Sequence, residues 1–348
     1  MTSRALLSDA SRQEMPLSLS LSDYIRDSGL HSVVLGTSKD PNAKITVLLV
    51  SAETHTPVLA VKAPTTEIAA RAIDRERRVL DELDRLPLDV ISETIPRIIT
   101  TVEFEGRPAL VMTAVPGTPL TTSYIGWRHT SRPNRVSEDF ATAGAWLADF
   151  QEATAGGAAR VDMDCGVVRR LRERYPASDA LEGDIDRLCQ IYGRLRRDDV
   201  PRTAVHGDLW FGNLMVSGGG ITGVVDWEAG TMSGEPVRDL VRFALAYALF
   251  LDRRTRAGRR VSGHPGLRRG SFGAGVEFAL DGAGWFPELF RRFLSDGLAR
   301  LGASPERWRD AALAGVAEVA AFTDDSTFAE RHLELFHRLA SSTQGVTR

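Results

Sequence analysis

The strongest constraint on this chain is a change of period about a third of the way along it. Up to about residue 113 the apolar residues come mostly in short β-branched runs, and from about residue 137 they recur at helical spacing. HSVVLGT, AKITVLLVS and PVLAVKAP are separated by the turn-rich stretches SKDPN and AETHT, which predicts an antiparallel three-strand meander. A helix follows in TTEIAARAIDRERRVLDELDRL, with Thr65 or Thr66 as its cap. IPRIITTVEFEGRPALVMTAV then supplies two more strands, joined around Glu105 and Gly106. Farther on, SEDFATAGAWLADFQEAT sets Phe140, Ala143, Leu147 and Phe150 on one helix face, with Ser137 as candidate cap. A hairpin, LMV-SGGG-ITGVVDW, interrupts an otherwise helical remainder. The expected class is α+β: a polar leader over 1–30, a small antiparallel sheet lobe over 31–113, and a larger, mostly helical lobe over 114–348. A cleft is expected near residues 113 to 117.

With 348 residues the chain is long enough for two cores. A net charge of -3 gives no electrostatic case for a nucleic-acid partner. Two cysteines, Cys165 and Cys189, make no disulfide framework and suit a reducing cytosol. The first residues lack the continuous apolar stretch of a signal peptide. LVRFALAYALFL, residues 240 to 251, is interrupted by Arg242 and falls short of the roughly 20 apolar residues of a membrane span. It reads as a buried core helix, and the protein as cytoplasmic with no membrane partner. Composition leaves the oligomeric state open.

Chemistry concentrates in AVHGDLWFGNLMV and the VVDWE that follows it. A carboxylate in a loop after a strand, an amide five residues later and a second carboxylate after a hairpin suit phosphoryl transfer. That reaction needs a group to take or orient the proton of the attacking hydroxyl, and oxygen ligands for magnesium on the phosphates. Asp208 can do the first, and Asn213 with Asp226 the second. Oxygen donors without a Cys or His cluster favour magnesium over zinc. A metal-dependent hydrolase using His206, Asp208 and Asp226 would need further ligands, and residues 200 to 230 offer only Glu228.

HGDLWFGN resembles the catalytic loop of the aminoglycoside phosphotransferase and choline kinase family, relatives of the protein kinases, with His206, Asp208 and Asn213 in place. Asp226 matches the metal-binding Asp that opens D-F-G in protein kinases. The resemblance covers roughly residues 30 to 250. It implies a protein-kinase-like two-lobed fold and a kinase that uses ATP and Mg2+ to phosphorylate a hydroxyl of a small molecule, such as an antibiotic, a sugar or an amino alcohol. It gives His206 a mostly structural role, and makes Asp239 a brace beneath the catalytic loop.

The first lobe adds its own argument. Strand alternation puts Val58, Ala60 and Lys62 on one face. Ile68, Ala72, Glu76, Val79 and Leu83 share a helical stripe, so Glu76 faces inward and needs a partner. Lys62 is one candidate, Arg77 and Arg78 are others, and a Lys62–Glu76 pair resembles the kinase lysine–glutamate pair at the α- and β-phosphates. LGTSKDPNAK occupies the place of the phosphate-covering loop, but with Gly36 as its only glycine, and Ser38 or Asn42 as small residues beside phosphate. In LVMTAVPGTPL the resemblance assigns the adenine contacts to the backbone of Thr113 and Val115, with Gly117 turning the chain onward. Phe150-Gln151 departs from the family, where many relatives carry a histidine. Glu228 can assist the metal or bind local backbone, and Trp210 and Phe211 read as packing residues.

Residues 252 to 270 hold seven arginines against the single acid Asp252, and this loop is a candidate for capturing an anionic acceptor. The acceptor itself, ATP against GTP, and a nucleotide-binding module without transfer activity stay open at this level.

Overall fold

A computed structural model describes residues 19–37 and 43–342. Ser38 and Asn42, proposed for the phosphate-covering loop, lie outside the described residues. Among those described, no helix is long and apolar enough to cross a membrane.

The chain divides into two compact units. The first takes the described residues up to Ile73 together with Ile98–Ala114. It opens with a helix α1 (Leu21–Ser28), inside the stretch expected to be a polar leader. Leu21, Tyr24 and Ile25 recur at helical spacing and pack on the sheet, while Ser20 caps the first turn through Asp23 N. The sheet contains β1 (His31–Thr37), β2 (Lys44–Val50), β3 (Pro57–Pro64), β4 (Ile98–Phe104) and β5 (Arg107–Thr113), in the antiparallel order β1-β2-β3-β5-β4. Its core is built by alternation: Val47 and Leu49, Val61 and Ala63, and Ala109 and Val111 are buried. Glu105 and Gly106 both take positive φ, the two-residue turn that suits strand twist, and Phe104 pairs with Arg107 across it.

The helix α2 (Glu67–Leu83) begins in the first unit and continues into the second. Thr66 caps it through Ala69 N, whereas the Thr65 hydroxyl donates to Ala43 O. Residues Asp74–Arg97 belong with the larger unit, which differs from the expected division at 113. The reason is visible in their bonds: Trp227 N donates to Glu76, Arg75 to Glu228 O, and Trp146 Nε1 to Thr94 Oγ1. Ile68, placed on the inward stripe by spacing, is 44% exposed, because the buried face runs through Ala69, Ala72, Ile73 and Glu76 and leaves Ile68 at its edge.

The second unit continues with β6 (Thr118–Pro119), α3 (Leu120–Tyr124) and α4 (Pro133–Ala153). The expected start of α4 at Ser137 is a correction: Pro133 opens the helix one turn earlier, where its missing N–H costs nothing. Phe140, Ala143, Leu147 and Phe150 are all buried, as the period requires. Then come β7 (Ala158–Arg160), α5 (Val167–Arg174), α6 (Asp179–Leu195), β8 (Asp199–Pro201) and β9 (Thr203–Val205). The hairpin is β10 (Leu214–Ser217) and β11 (Gly220–Val224), turning through Gly218 and Gly219 at positive φ. After β12 (Thr231–Gly234), helices fill the remainder: α7 (Val237–Leu249), α8 (Ala274–Asp281), α9 (Trp285–Arg300), α10 (Trp308–Phe322) and α11 (Ser326–Ser342). Edge-to-face rings of Phe140, Phe243, Phe286 and Phe293 lock α4, α7 and α9 together.

The arginine-rich stretch between α7 and α8 is an ordered loop. Arg269 donates to the carbonyls of Arg253 and Thr255, Arg268 donates to Gly258 O, and Arg253 lies over the Phe250 ring. His264 pins the loop by donating from Nε2 to Thr130 O at 2.7 Å, and its Nδ1 is buried without a partner. Burial therefore pushes its pKa down to about 4. The unfolded chain takes up that proton near pH 6.5 and the folded one does not, so stability is full above 6.5 and is lost as pH falls toward 4. We expect a slope of about 1.4 kcal/mol per pH unit below 6.5 from this residue, or about 2 kcal/mol by pH 5. Urea titrations at pH 7 and pH 5 should show that component in the parent and not in His264→Gln. Equal pH dependence in the two proteins would contradict it.

Candidate active site

The catalytic-loop candidate lies between β9 and the β10–β11 hairpin, over the start of α7. Asp239, in the first turn of α7, is 1% exposed. Its Oδ2 accepts from His206 N at 2.7 Å and its Oδ1 from Gly207 N at 2.8 Å. Burial raises its pKa, and the nearby His206 and the two backbone N–H groups oppose that rise. Gly207 has φ +81, and a Cβ there would lie 2.2 Å from the carbonyl oxygen of Ala229. Only glycine fits this passage. Both ring nitrogens of His206 are engaged: Nε2 donates to Val225 O at 2.8 Å and Nδ1 accepts from Asp208 N at 3.2 Å. The ring also packs on Trp227, 4.6 Å between centroids. His206 therefore ties the loop to the strand end that carries Asp226.

The same stitching brings Asn213 and Asp226 together. Val225 N donates to Asn213 O at 3.0 Å, so the two side chains flank one backbone bond. Asn213 uses its Nδ2 on Asp208 O at 3.0 Å, which leaves its Oδ1 for a cation. Asp226 holds φ 67 and ψ 59, a left-handed conformation unusual for a side-chain-bearing residue and typical of functional positions. Next to it, Trp227 N donates to the buried Glu76 at 3.2 Å. The rival partners for Glu76 are otherwise occupied: Arg77 bridges Asp74 and Asp81, and Arg78 binds Asp74.

One partner in this site escaped the sequence reading. Arg242, on α7, donates from both Nε and Nη2 to Asp208 Oδ1, at 2.9 and 2.7 Å. Asp208 and Arg242 are each about a third exposed, so the pair stands at a surface open to solvent. Arg242 was visible only as the interruption in an apolar run. The signal was its place three residues after Asp239, one turn along the helix that holds the loop.

The remaining predicted residues fall as follows. Lys62 is buried on β3, in register with Leu110 of β5. Burial does not alternate near it, since Val61, Lys62, Ala63 and Pro64 are all covered. Gly36 lies on β1 opposite Thr46, beside a register shift. Thr113 ends β5 opposite Leu59. Val115 packs on Gly223, where a Cβ would come within 2.3 Å of its Cγ2. Gly117 has φ +109, and a Cβ there would meet Val216 O at 2.9 Å. Lys62, Gly36 and Thr113 belong to the first unit, and Glu76, Val115, Asp208, Asn213 and Asp226 to the second.

Phe211 is buried and stacks on Tyr124 at 4.2 Å. At the position of the missing histidine, Gln151 donates to Pro236 O and accepts from Arg300, fastening α4 to the entry of α7.

The donor set fits magnesium. Among the described residues no group of three or more His, Cys, Asp and Glu is placed to hold a metal ion. Magnesium is commonly held by one or two carboxylates plus substrate phosphates and water, which Asp226 with the Asn213 amide can begin and a nucleotide complete.

The model of the phosphotransferase enzyme family (APH) matches residues 46–272, and the chain belongs to that family. It is a phosphotransferase that takes a hydroxyl of a small molecule as acceptor. The fold is the protein-kinase-like one of solved relatives. A thermostable mutant of aminoglycoside phosphotransferase APH(4)-Ia, in ternary complex with ADP and hygromycin B, aligns at TM-score 0.57 with 12% identity over 94% of this chain and 99% of that one. ADP-bound aminoglycoside phosphotransferase APH(2'')-Ib gives 0.51 with 13% identity over 91% and 96%. Macrolide 2'-phosphotransferase MphH from Brachybacterium faecium gives 0.50 with 14% identity over 90% and 96%. No curated protein matches the chain.

The tight passage at Gly207 gives a direct check. Gly207→Ala should cost about 1–3 kcal/mol in urea denaturation, from left-handed strain and the contact with Ala229. Unchanged stability would show that the loop has another way past Ala229.

Proposed function

We propose that the chain is a cytoplasmic kinase that moves the γ-phosphate of ATP, with Mg2+, to a hydroxyl of a small molecule. The observation that carries this reading is the state of Asp208. One carboxylate oxygen is held by Arg242, and the other lies 3.5 Å from Asn213 Nδ2. A carboxylate fixed at one oxygen presents the second to an incoming O–H in a defined direction. Asp208 then accepts the hydroxyl proton as the acceptor oxygen attacks phosphorus and the bond to ADP breaks. Asn213 and Asp226 would hold the cation, which neutralises phosphate charge when bound with the nucleotide. Lys62 is assigned to the α- and β-phosphates and Glu76 to orienting that lysine. The backbone of Thr113 and Val115 is assigned to adenine, and the strand at Gly36 to the phosphate-covering loop. The ADP and hygromycin B in the APH(4)-Ia complex support a nucleotide and a hydroxylated small molecule as the two substrates.

Asp208→Asn should lower kcat by about 10²–10⁴ and leave Mg-ATP affinity near the parent value. Parent-like kcat would remove Asp208 from the mechanism. Asp226→Ala should abolish the magnesium dependence of ATP binding in calorimetry, and undiminished Mg-ATP affinity would move the metal site elsewhere. Lys62→Ala should reduce turnover more than thermal stability. Mg-ATP binding with no ADP release for any alcohol would favour a nucleotide-binding module.

A further inference from the structure

Two cavities meet at the Asp208–Arg242 pair, and they differ in chemistry. One, of ≈ 300 Å³, is the more polar: Glu228, Arg238, Glu318 and Asp324 line it beside Val241, Leu245, Val319 and Phe322, with Glu318 held by Arg238. Glu228 and Ala229 follow Asp226 within three residues, so this cavity borders the segment that carries the proposed metal ligand. The other, of ≈ 250 Å³, has no wall from residues 224–230. Thirteen residues line it and ten are apolar, among them Leu249, Val276, Val316, Phe328 and Leu335. The three others are Asp208, Arg242 and His332.

Charge decides what this chamber accepts. Asp208 and Arg242 neutralise each other across their ion pair. His332 donates from Nδ1 to Phe328 O at 2.8 Å and lies against the rings of Phe272 and Phe328. Burial first, then Arg242, pushes its pKa down to about 4, so it stays neutral at pH 7 with Nε2 as an acceptor. A polycation placed here would bury its charges among apolar side chains, with Asp208, already paired with Arg242, as the one carboxylate of the lining, which is unfavourable. In-line transfer brings the acceptor from the side of the phosphoryl group opposite the nucleotide. Glu228 and Ala229, from the segment that follows Asp226, line the first cavity and nothing of that segment lines the second, so the acceptor side is assigned to the apolar chamber.

We infer that the acceptor is an alcohol with an uncharged apolar arm, which lodges in the chamber of α7, α8, α10 and α11 and presents its hydroxyl to Asp208. This rests on the proposed role of Asp208. At ≈ 250 Å³ the chamber holds one modest arm and not a whole polycyclic body. Val276, Val316, Phe328, His332 and Leu335 all lie beyond residue 272, where the family match ends. Much of the chamber wall therefore lies outside the stretch that the family model describes.

The test uses the full chain and primary alkanols as probes. Affinity of butan-1-ol, hexan-1-ol and octan-1-ol, measured by calorimetry, should rise about threefold to fourfold per methylene until the chamber is full. Ala246→Phe narrows the chamber from a partly buried wall position. It should weaken octan-1-ol at least tenfold, with Mg-ATP affinity and melting temperature unchanged. Leu249→Trp serves the same purpose if Ala246→Phe does not fold. Kanamycin, a polycation, should not displace octan-1-ol. Affinity independent of chain length, folded filling variants that bind octan-1-ol as the parent does, or displacement by kanamycin would each overturn the inference. ADP release with Mg-ATP is followed in parallel. Chain-length-dependent binding with no phosphate transfer to any alcohol would leave the chamber standing as an apolar site and sink the kinase reading instead.

Discussion

Everything at this site hangs on the buried carboxylate of Asp239. A carboxylate at 1% exposure is costly unless its oxygens are satisfied, and here each oxygen takes one backbone N–H, from His206 and from Gly207. That arrangement fixes the direction in which the loop leaves β9. The glycine at 207 lets the backbone pass Ala229, and His206 binds the loop to Val225. Asp208, Asn213 and Asp226 then take their places as consequences of one anchored turn. Arg242 completes the arrangement from the same helix that carries the anchor, one turn on. A single helix, α7, therefore sets both the position of the loop and the orientation of the carboxylate at its tip.

Much of this was legible in the sequence. HGDLWFGN followed by VVDWE concentrates charged and amide groups at spacings that ordinary turns do not require. Glu76 declared itself as a carboxylate on an apolar stripe, and it is fully buried with Trp227 N as a donor. Local signals did less well where two of them competed. Ser137 is a good cap by type, but Pro133 starts α4 earlier because proline is preorganised for a first turn. Residues 21–28 looked like part of a polar leader because a single amphipathic helix of eight residues is half polar, and its apolar side matters only once a sheet is there to receive it.

Other features depend on folding contacts that no local pattern encodes. Arg242 looked like a flaw in an apolar run, and its meaning appears only when α7 is set against the loop. The seven arginines of 252–270 suggested an anion site, but none of them lines either cavity at Asp208. Arg268 and Arg269 instead close the loop on its own carbonyls. The apolar chamber draws on residues from Asp208 to Leu335, so its chemistry could not be read from any one stretch. The loop, Asp239 and Arg242 lie in the part of the chain that the family model matches, and much of the chamber wall lies beyond it.

The central claim is that Asp239 acts through Asp208, and a double-variant cycle on phosphate transfer tests it most directly. Single-turnover transfer from γ-labelled ATP is measured for the parent, Asp208→Asn, Asp239→Asn and the double variant. If Asp239 serves only to place Asp208, the double variant is as slow as Asp208→Asn alone, and the two losses do not multiply. Losses that multiply would mean that Asp239 contributes independently, and the account of the anchored loop would fail.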